Sequence, residues 1–303
     1  MKQDLKDKEA KNIADLVAEN IRQLNEETSQ SSIIKTGFDE FDAKFGGFRL
    51  SEFIIIGGRP AMGKTQLLIN LTLNISTTIP VLYISLELSE FSLTSRFISS
   101  ISEISINKIL QNDLNEKQKK KLSAIGNEFT KRQIFISDCS NSDILALKAH
   151  CLKQICENGI KVIIIDFMQL MTSYDYRSYR EQEVSFICRE LRKMAKEHNV
   201  CVIVSSQLNR GCERRYIDHK RPDLIDLRDS GAMEEDADKV IFIYRPEYYG
   251  IISDGDGYNL INLAEIIVAK NRNGSLGVFN LTKDDDFTNF RNCNSNELRE
   301  TPF

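Results

Sequence analysis

The sequence predicts an α/β fold, with a mostly parallel central sheet flanked by helices and preceded by an N-terminal amphipathic helix. Three observations carry this reading. Seven short apolar runs recur along the chain, each continuous instead of alternating; segments with helical spacing lie between them; and a glycine-rich turn joins the first run to the first of those helices. Strands that are apolar along their whole length are buried on both faces, and helices between them supply the cover and the crossovers of a parallel sheet.

Taken in order, residues 5 to about 26 place Ile13, Leu16, Val17, Ile21 and Leu24 at helical spacing among Lys, Asp, Glu and Gln. This describes one amphipathic helix with a single apolar stripe that needs a partner. The polar stretch Glu26 to Ser32 favours turns and reads as a flexible connection, so the helix is able to pack on a different subunit. The strands follow as FIII (53–56), VLYISL (81–86), IFIS (134–137), KVIIID (161–166), CVIVSS (201–206), KVIFIY (239–244) and AEIIVA (264–269), with helical spacing at 64–78, 89–102, 115–130, 141–158 and 180–198. The expected organisation is an N-terminal helix and connection at 1–32, one α/β domain at 33–290 and a C-terminal tail at 291–303; residues 284–303 are polar and read as loosely held, without assignable chemistry.

A chain of 303 residues suffices for one large α/β domain with an extension. No apolar run approaches the roughly 20 residues a membrane-spanning helix requires. The N-terminus, MKQDLKDKEAKN, is highly charged and lacks the apolar core of a secretion signal, so a cytoplasmic protein without membrane contact is expected. Seven cysteines, odd in number and without a C-x-x-C pair, argue against a disulfide framework and a structural zinc site; the three histidines, at 150, 198 and 219, are scattered. A net charge of -4 means that nucleic acid cannot be held by the general field, so such binding requires a local basic patch or a ring-shaped assembly.

The chemistry begins at Gly58-Arg59-Pro60-Ala61-Met62-Gly63-Lys64-Thr65, a full match to G-x-x-x-x-G-K-[ST] between a predicted strand and a predicted helix, with Gln66 next in that helix. Backbone N–H groups of such a loop face the phosphates of ATP, Lys64 reaches the β- and γ-phosphates, and Thr65 offers its hydroxyl to Mg²⁺. A second metal-shell carboxylate is expected from Asp166, at the carboxyl end of KVIIID; alone, it also reads as a turn former. Glu87, directly after VLYISL, is a candidate for orienting the attacking water, or else a solvated loop residue or the start of a helix. Gln207 closes CVIVSSQ at the same sheet edge, as a γ-phosphate sensor or a simple strand-end amide.

At this point the chain resembles the C-terminal RecA-like motor domain of DnaB-type replicative DNA helicases, over roughly residues 33–290. The resemblance rests on TGF (36–38) with Gly46-Gly47, GRPAMGKT (58–65), SLEL (85–88), IIIDFMQLM (163–171), SSQLNR (205–210), DLRDSGAMEEDADKVIFIYR (226–245) and KNRNG (270–274), in the family's order. It implies a RecA-like P-loop ATPase that acts as a homohexameric ring, translocating on single-stranded DNA from 5′ to 3′ and unwinding duplex during replication, with a loader or primase as further partners. It also implies Glu87 as catalytic base, Asp166 as the magnesium-shell acid, Gln207 as sensor, and Lys270 with Arg272 completing a neighbouring subunit's ATP site. On residue type alone, Lys270 and Arg272 are a basic turn between strands.

The segment 209–231 is long and poor in apolar residues, which marks a functional loop. By resemblance Arg228, Asp229 and Gly231 match the family's loop that holds the DNA backbone, with Asp229 where the family usually carries Glu. Arg210, Arg214, Arg215, Lys220 and Arg221 lie within twelve residues and are candidate phosphate contacts, or else part of a solvated charged face. A second segment, YDYRSYR (174–180), interleaves aromatics and arginines and is a weaker candidate. The resemblance implies a short form without the family's N-terminal collar domain, the helix at 5–26 occupying the place of its linker helix. Two other functions fit parts of the pattern: a RecA- or RadA-type recombinase, which shares the loop and the two acids, and an ATP-binding assembly factor that does not unwind.

Overall fold

The computed structural model describes residues 12–25, 33–139, 142–176, 179–215, 220–227, 230–254 and 257–293. The chain divides into two units, one ending at Ser32 and one beginning at Ile33. The first contains helix α1 (Ile13–Asn25), with Asp15 in its first turn and Arg22 in its last, the arrangement that complements a helix dipole. Ile13, Val17 and Ile21, at i, i+4 and i+8, are exposed. Residues 5–11 and 26 of the expected helix lie outside the described residues.

In the second unit β1 (Ile33–Ile34) pairs antiparallel with β2 (Phe48–Arg49) across α2 (Asp39–Phe45). Gly46, in the left-handed region at φ 72°, ends α2, and Phe41 and Phe45 bury one face of it. There follow β3 (Phe53–Gly58), α3 (Lys64–Ile75), β4 (Val81–Ser85), α4 (Glu90–Ser102), α5 (Ile106–Leu110), α6 (Glu116–Thr130), β5 (Ile134–Asp138), α7 (Ile144–Asn158), β6 (Val162–Asp166), α8 (Arg180–His198), β7 (Cys201–Gln207), α9 (Ser230–Asp236), β8 (Lys239–Tyr244), β9 (Leu263–Asn271), β10 (Gly277–Lys283) and β11 (Phe290–Asn292). Side-chain caps fix three helix starts: Ser89 on α4, the Asn115–Gln118 capping box on α6, and Asp143, which accepts from Leu145 and Ala146 N–H, on α7.

The main sheet has nine strands in the order β11-β10-β9-β8-β3-β7-β6-β4-β5. The six from β8 to β5 are parallel, as the continuous apolar runs predict, and each faces two hydrophobic layers. Ile54, Ile56, Val81, Tyr83, Val162, Ile164 and Ile203 point to the layer containing α3 residues Leu67, Leu68 and Leu71. Their alternates Phe53, Ile55, Leu82, Ile84, Ile163, Ile165 and Val204 meet Leu147 and Cys151 of α7 and Ile187, Leu191 and Met194 of α8. Full burial of each such side chain contributes about 1.5–3 kcal/mol, which explains why these runs contain no polar alternation.

Two departures from the sequence reading concern the main sheet. The sheet continues past β8 with three antiparallel strands, of which β10 and β11 do not stand out as apolar runs. The segment 284–292 is not a loosely held tail: it leads into β11, which pairs with β10, and Asn289 and Phe290 are hydrogen-bonded to Asn70 of α3. The expected boundary after residue 290 therefore cuts through a strand.

Candidate functional site

A cleft of about 440 Å³ opens at the carboxyl ends of the parallel strands, lined by residues that include Lys64, Thr65, Glu87, Asp166 and Gln207. Strand register brings them there. Gly58 pairs with Gln207 across β3 and β7, and Ser85 with Asp166 across β4 and β6, so the residues following each strand meet at one edge. Gly63 takes φ 97° to turn the phosphate loop into α3, a left-handed conformation costly for a side-chain-bearing residue.

Lys64 Nζ donates to the carbonyls of Gly58 (2.9 Å) and Arg59 (3.2 Å). Burial lowers its pKa to about 8, against the opposing pull of the Asp166 and Glu87 carboxylates. Asp166, almost fully buried, accepts from Thr65 Oγ1 at 2.6 Å, from Tyr83 Oη at 3.2 Å and from Ser205 Oγ. Burial and the neighbouring Asp166 hold the Tyr83 phenol protonated, so it stays a donor to that carboxylate. A hydroxyl and a carboxylate in contact at a cleft floor are a hard-oxygen donor pair, the type that suits a magnesium ion bound mainly by water and phosphate. Glu87 sits on a small turn that Ser85 fixes: its Oγ donates to the Leu88 carbonyl at 2.7 Å and accepts from the Leu88 N–H at 2.9 Å. This arrangement offers a cation and helix N-terminus for phosphates, oxygen ligands for a divalent cation, and a carboxylate across the cleft for water.

Two expected nucleotide contacts have side chains engaged elsewhere. Gln66 Nε2 donates to the Thr288 carbonyl at 2.5 Å, and the Arg59 guanidinium reaches Leu208 and Glu213. Gln66 still lines the cleft and Arg59 does not, and the lining also includes Arg96, Phe167 and Phe287. Phe287 comes from the segment read as tail and lies against the phosphate loop: a Cβ on Gly63 would stand 2.3 Å from its ring, so this glycine answers to space as well as to φ. The Arg245 guanidinium lies 4.7 Å from the Phe287 ring centroid and donates to the Ala61 carbonyl at 2.9 Å, with Glu247 at 2.5 Å on its other side. No spacing rule connects residues 63, 245 and 287; they become neighbours through the antiparallel extension of the sheet.

Lys270 and Arg272 do not join this cleft. Val240 pairs with Ile55 of β3 and with Lys270 of β9, which puts Lys270 and Arg272 at the amino ends of the parallel strands, opposite the phosphate loop. Lys270 Nζ donates to the Glu234 carbonyl and, at 3.3 Å, to that of Glu235; Arg272 donates to the Glu235 carbonyl and lies 3.6 Å from Asp238. Burial, then the neighbouring Arg272, lowers the Lys270 pKa.

The segment after β7 is more structured than a functional loop suggested. Arg210–Arg214 and Leu224–Asp226 form short 3₁₀ turns, and Leu208 bridges to Leu227. Arg210 is exposed, whereas Arg215 holds the buried Asp226 at 2.5 Å and Arg221 forms a two-pronged pair with Glu265 at 2.7 Å. Arg214 falls in the first turn, its side chain outside the described residues; Arg228 and Asp229 lie outside them altogether, and Gly231 is exposed in α9. Tyr174 and Tyr179 of the second segment are exposed, while Arg180 is bound by the Met171 carbonyl and Glu183. Among the described residues no helix is long and apolar enough to cross a membrane, and no cluster of three or more His, Cys, Asp or Glu has metal-binding geometry.

Residues 33–292 match the family described as DnaB-like helicase C terminal domain. The chain is 37% identical over 293 residues to a probable replicative DNA helicase of Trieres chinensis, covering 95% of this chain and 64% of that protein. It is 36% identical over 287 residues to the replicative DNA helicase DnaC of Bacillus subtilis (strain 168), covering 93% and 62%. The chain thus spans a little under two thirds of these curated relatives. A DnaB-like replicative helicase, described with its interactions with primase, superposes with a TM-score of 0.82 at 31% identity, covering 94% of this chain and 69% of that one. A separately solved ATPase domain superposes at 0.84 and 31% identity, covering 94% of this chain and all of that one. The fold is the RecA-like arrangement of those structures, a mostly parallel sheet between helical layers, and the chain belongs to the DnaB-like helicase family, matching its C-terminal domain.

Proposed function

We propose that this chain is the motor of an ATP-dependent replicative DNA helicase that assembles as a homohexameric ring and moves 5′ to 3′ on single-stranded DNA. The observation that carries the proposal is the division of the catalytic set: Lys64, Thr65, Asp166, Glu87 and Gln207 share one cleft, and Lys270 and Arg272 stand on the opposite sheet edge. An ATP site that needs all seven is completed by a second copy. In this reading the backbone N–H groups of the 58–66 loop, Pro60 excepted, and the Lys64 ammonium hold the ATP phosphates. Thr65 and Asp166 would hold Mg²⁺, which would supply charge neutralisation when bound. Glu87 orients the attacking water and accepts its proton. Lys270 and Arg272 of a neighbouring copy face the charge that develops on the transferred phosphoryl group, which makes hydrolysis conditional on assembly. Gln207, at the end of β7, senses the phosphate and leads directly into the 209–231 segment. There Arg210, Arg214, Arg215, Arg228, Asp229 and Gly231 are assigned to the DNA backbone.

The same reading gives α1 an adjacent subunit as the cover for its exposed stripe, a loader or primase as further partners, and the cytoplasm as the place of action. The family match favours this motor over a recombinase or a non-unwinding assembly factor. The test is the ATPase rate of the assembled protein with and without single-stranded DNA, together with strand separation on a forked duplex. Stimulation and unwinding, both abolished by Glu87→Gln, are expected. An assembled ring that neither responds to DNA nor separates strands refutes the proposal.

A further inference from the structure

Arg59 is the second residue of the phosphate loop, yet it is only 7% exposed. Its guanidinium crosses to the segment after β7: Nε and Nη2 lie 2.9 and 2.8 Å from one oxygen of Glu213, and Nη1 donates to the Leu208 carbonyl at 2.8 Å. Charge-assisted bonds of this forked kind fix orientation as well as distance. Their receiving end is itself clamped: Leu208 bridges to Leu227, and the Asn209 N–H donates to the Asp226 carbonyl at 2.8 Å. Residues 208–213 are therefore the root from which the proposed DNA-contacting stretch departs. At its other end, the Arg59 carbonyl is one of the two acceptors of Lys64 Nζ. One residue thus touches the phosphate-binding lysine through its backbone and the loop root through its side chain.

We propose that Glu213 is a positioning residue: by holding the Arg59 side chain it ties the phosphate loop to the root of the 209–231 segment, so that phosphate occupancy and DNA engagement bias each other. The inference rests on the motor reading and adds to it a route separate from Gln207. Lys64 moves from the Gly58 and Arg59 carbonyls to the phosphates when nucleotide binds, which changes the load on the Arg59 peptide. The Glu213 tie carries that change to the loop root. Contiguous packed and hydrogen-bonded groups of this kind can carry energetic coupling, and coupling is reciprocal between the two ligands. The simpler alternative is that Glu213 only neutralises a buried arginine, which stabilises the fold and leaves the DNA response unchanged.

Three variants of the full chain separate these. Glu213→Gln keeps an oxygen at the same reach without the charge; Glu213→Asp keeps the charge one methylene short; Glu213→Ala removes the carboxylate link and leaves Arg59 only its bond to the Leu208 carbonyl. The measurement is the ATPase rate with and without oligo(dT), with near-ultraviolet circular dichroism reporting the fold. Basal rates within about two-fold of the parent are expected in all three. The DNA-stimulated rise should vanish in the Ala variant, fall below roughly half in the Asp variant and persist in the Gln variant, following reach. Full stimulation in the Ala variant, or in the Asp variant should Ala not fold, overturns the proposal. A parent chain that hydrolyses ATP without any response to DNA overturns the motor reading, and the tie falls with it.

Discussion

At the scale of single residues, Lys64 shows how burial and charge compete in the cleft. Two carboxylates favour its ammonium, but desolvation outweighs them and leaves the pKa at about 8. The protonated form is the one that meets phosphate. Anionic phosphates raise the pKa of the bound state, so nucleotide binding takes up a proton at pH values above 8 and costs nothing in this respect below it. Affinity for ADP measured without divalent cation should be level near pH 7 and fall between pH 8 and 10, by up to about tenfold per unit. Calorimetry at pH 9 in buffers of different ionisation enthalpy should register the proton uptake; constant affinity across this range with no buffer dependence would contradict the assignment. That Lys64, Thr65, Asp166 and Glu87 share one cleft was legible in the sequence, because the expected phosphate and metal chemistry asks for these residue types near the carboxyl ends of buried strands. Arg59 and Gln66 occupy positions whose side chains that chemistry leaves free, and only the folded neighbours, Glu213 and Thr288, decide where they point.

At the scale of elements, a strand was legible where both of its faces are buried. β3, β4, β6, β7 and β8 read directly from continuous apolar runs, since each alternate residue meets a helical layer. β10 exposes Gly277 and Val278 and buries only Phe279 and Leu281, so its pattern is diluted, and β11 has three residues. The segment DDDFTN before β11 is polar in composition but ordered by specific bonds. Asn70 Nδ2 donates to Asn289 Oδ1 at 2.7 Å, Asn289 Nδ2 donates to the Ser100 carbonyl at 2.7 Å, and Thr288 N–H donates to Asp284 at 2.6 Å. This fastening holds Phe287 at the wall of the cleft. Asn289→Ala removes the bonds to the buried Asn70 and Ser100, a loss of about 1–3 kcal/mol in urea unfolding. Nucleotide affinity should weaken in the same variant, because Phe287 is released with the segment. Unchanged stability and affinity would return residues 284–292 to the status of a tail.

At the scale of the whole molecule, the polarity of the sheet matters most. Parallel strands put the phosphate loop, Asp166, Glu87 and Gln207 at their carboxyl ends, and the antiparallel return of β9 carries Lys270 and Arg272 to the amino ends. No rotamer change moves a side chain across the length of a strand, so a copy that uses both sets must share them with a neighbour. Sharing of this head-to-tail kind closes into a ring when the rotation between copies allows it. It also makes a prediction that no single-chain mechanism shares. In the proposed ring, Lys64→Ala removes the phosphate cation of a subunit's own site, and Arg272→Ala removes what that subunit would give to the next. Each variant alone should lose most of its ATPase. Mixed before assembly in equal amounts, they create interfaces in which an intact Lys64 faces an intact Arg272, roughly a quarter of the total by random placement, and hydrolysis should return in that measure. Recovery that tracks the mixing ratio, peaking at equal parts, establishes the shared site. A mixture no more active than its components, in rings shown by mass to contain both, would place Arg272 outside the catalytic set.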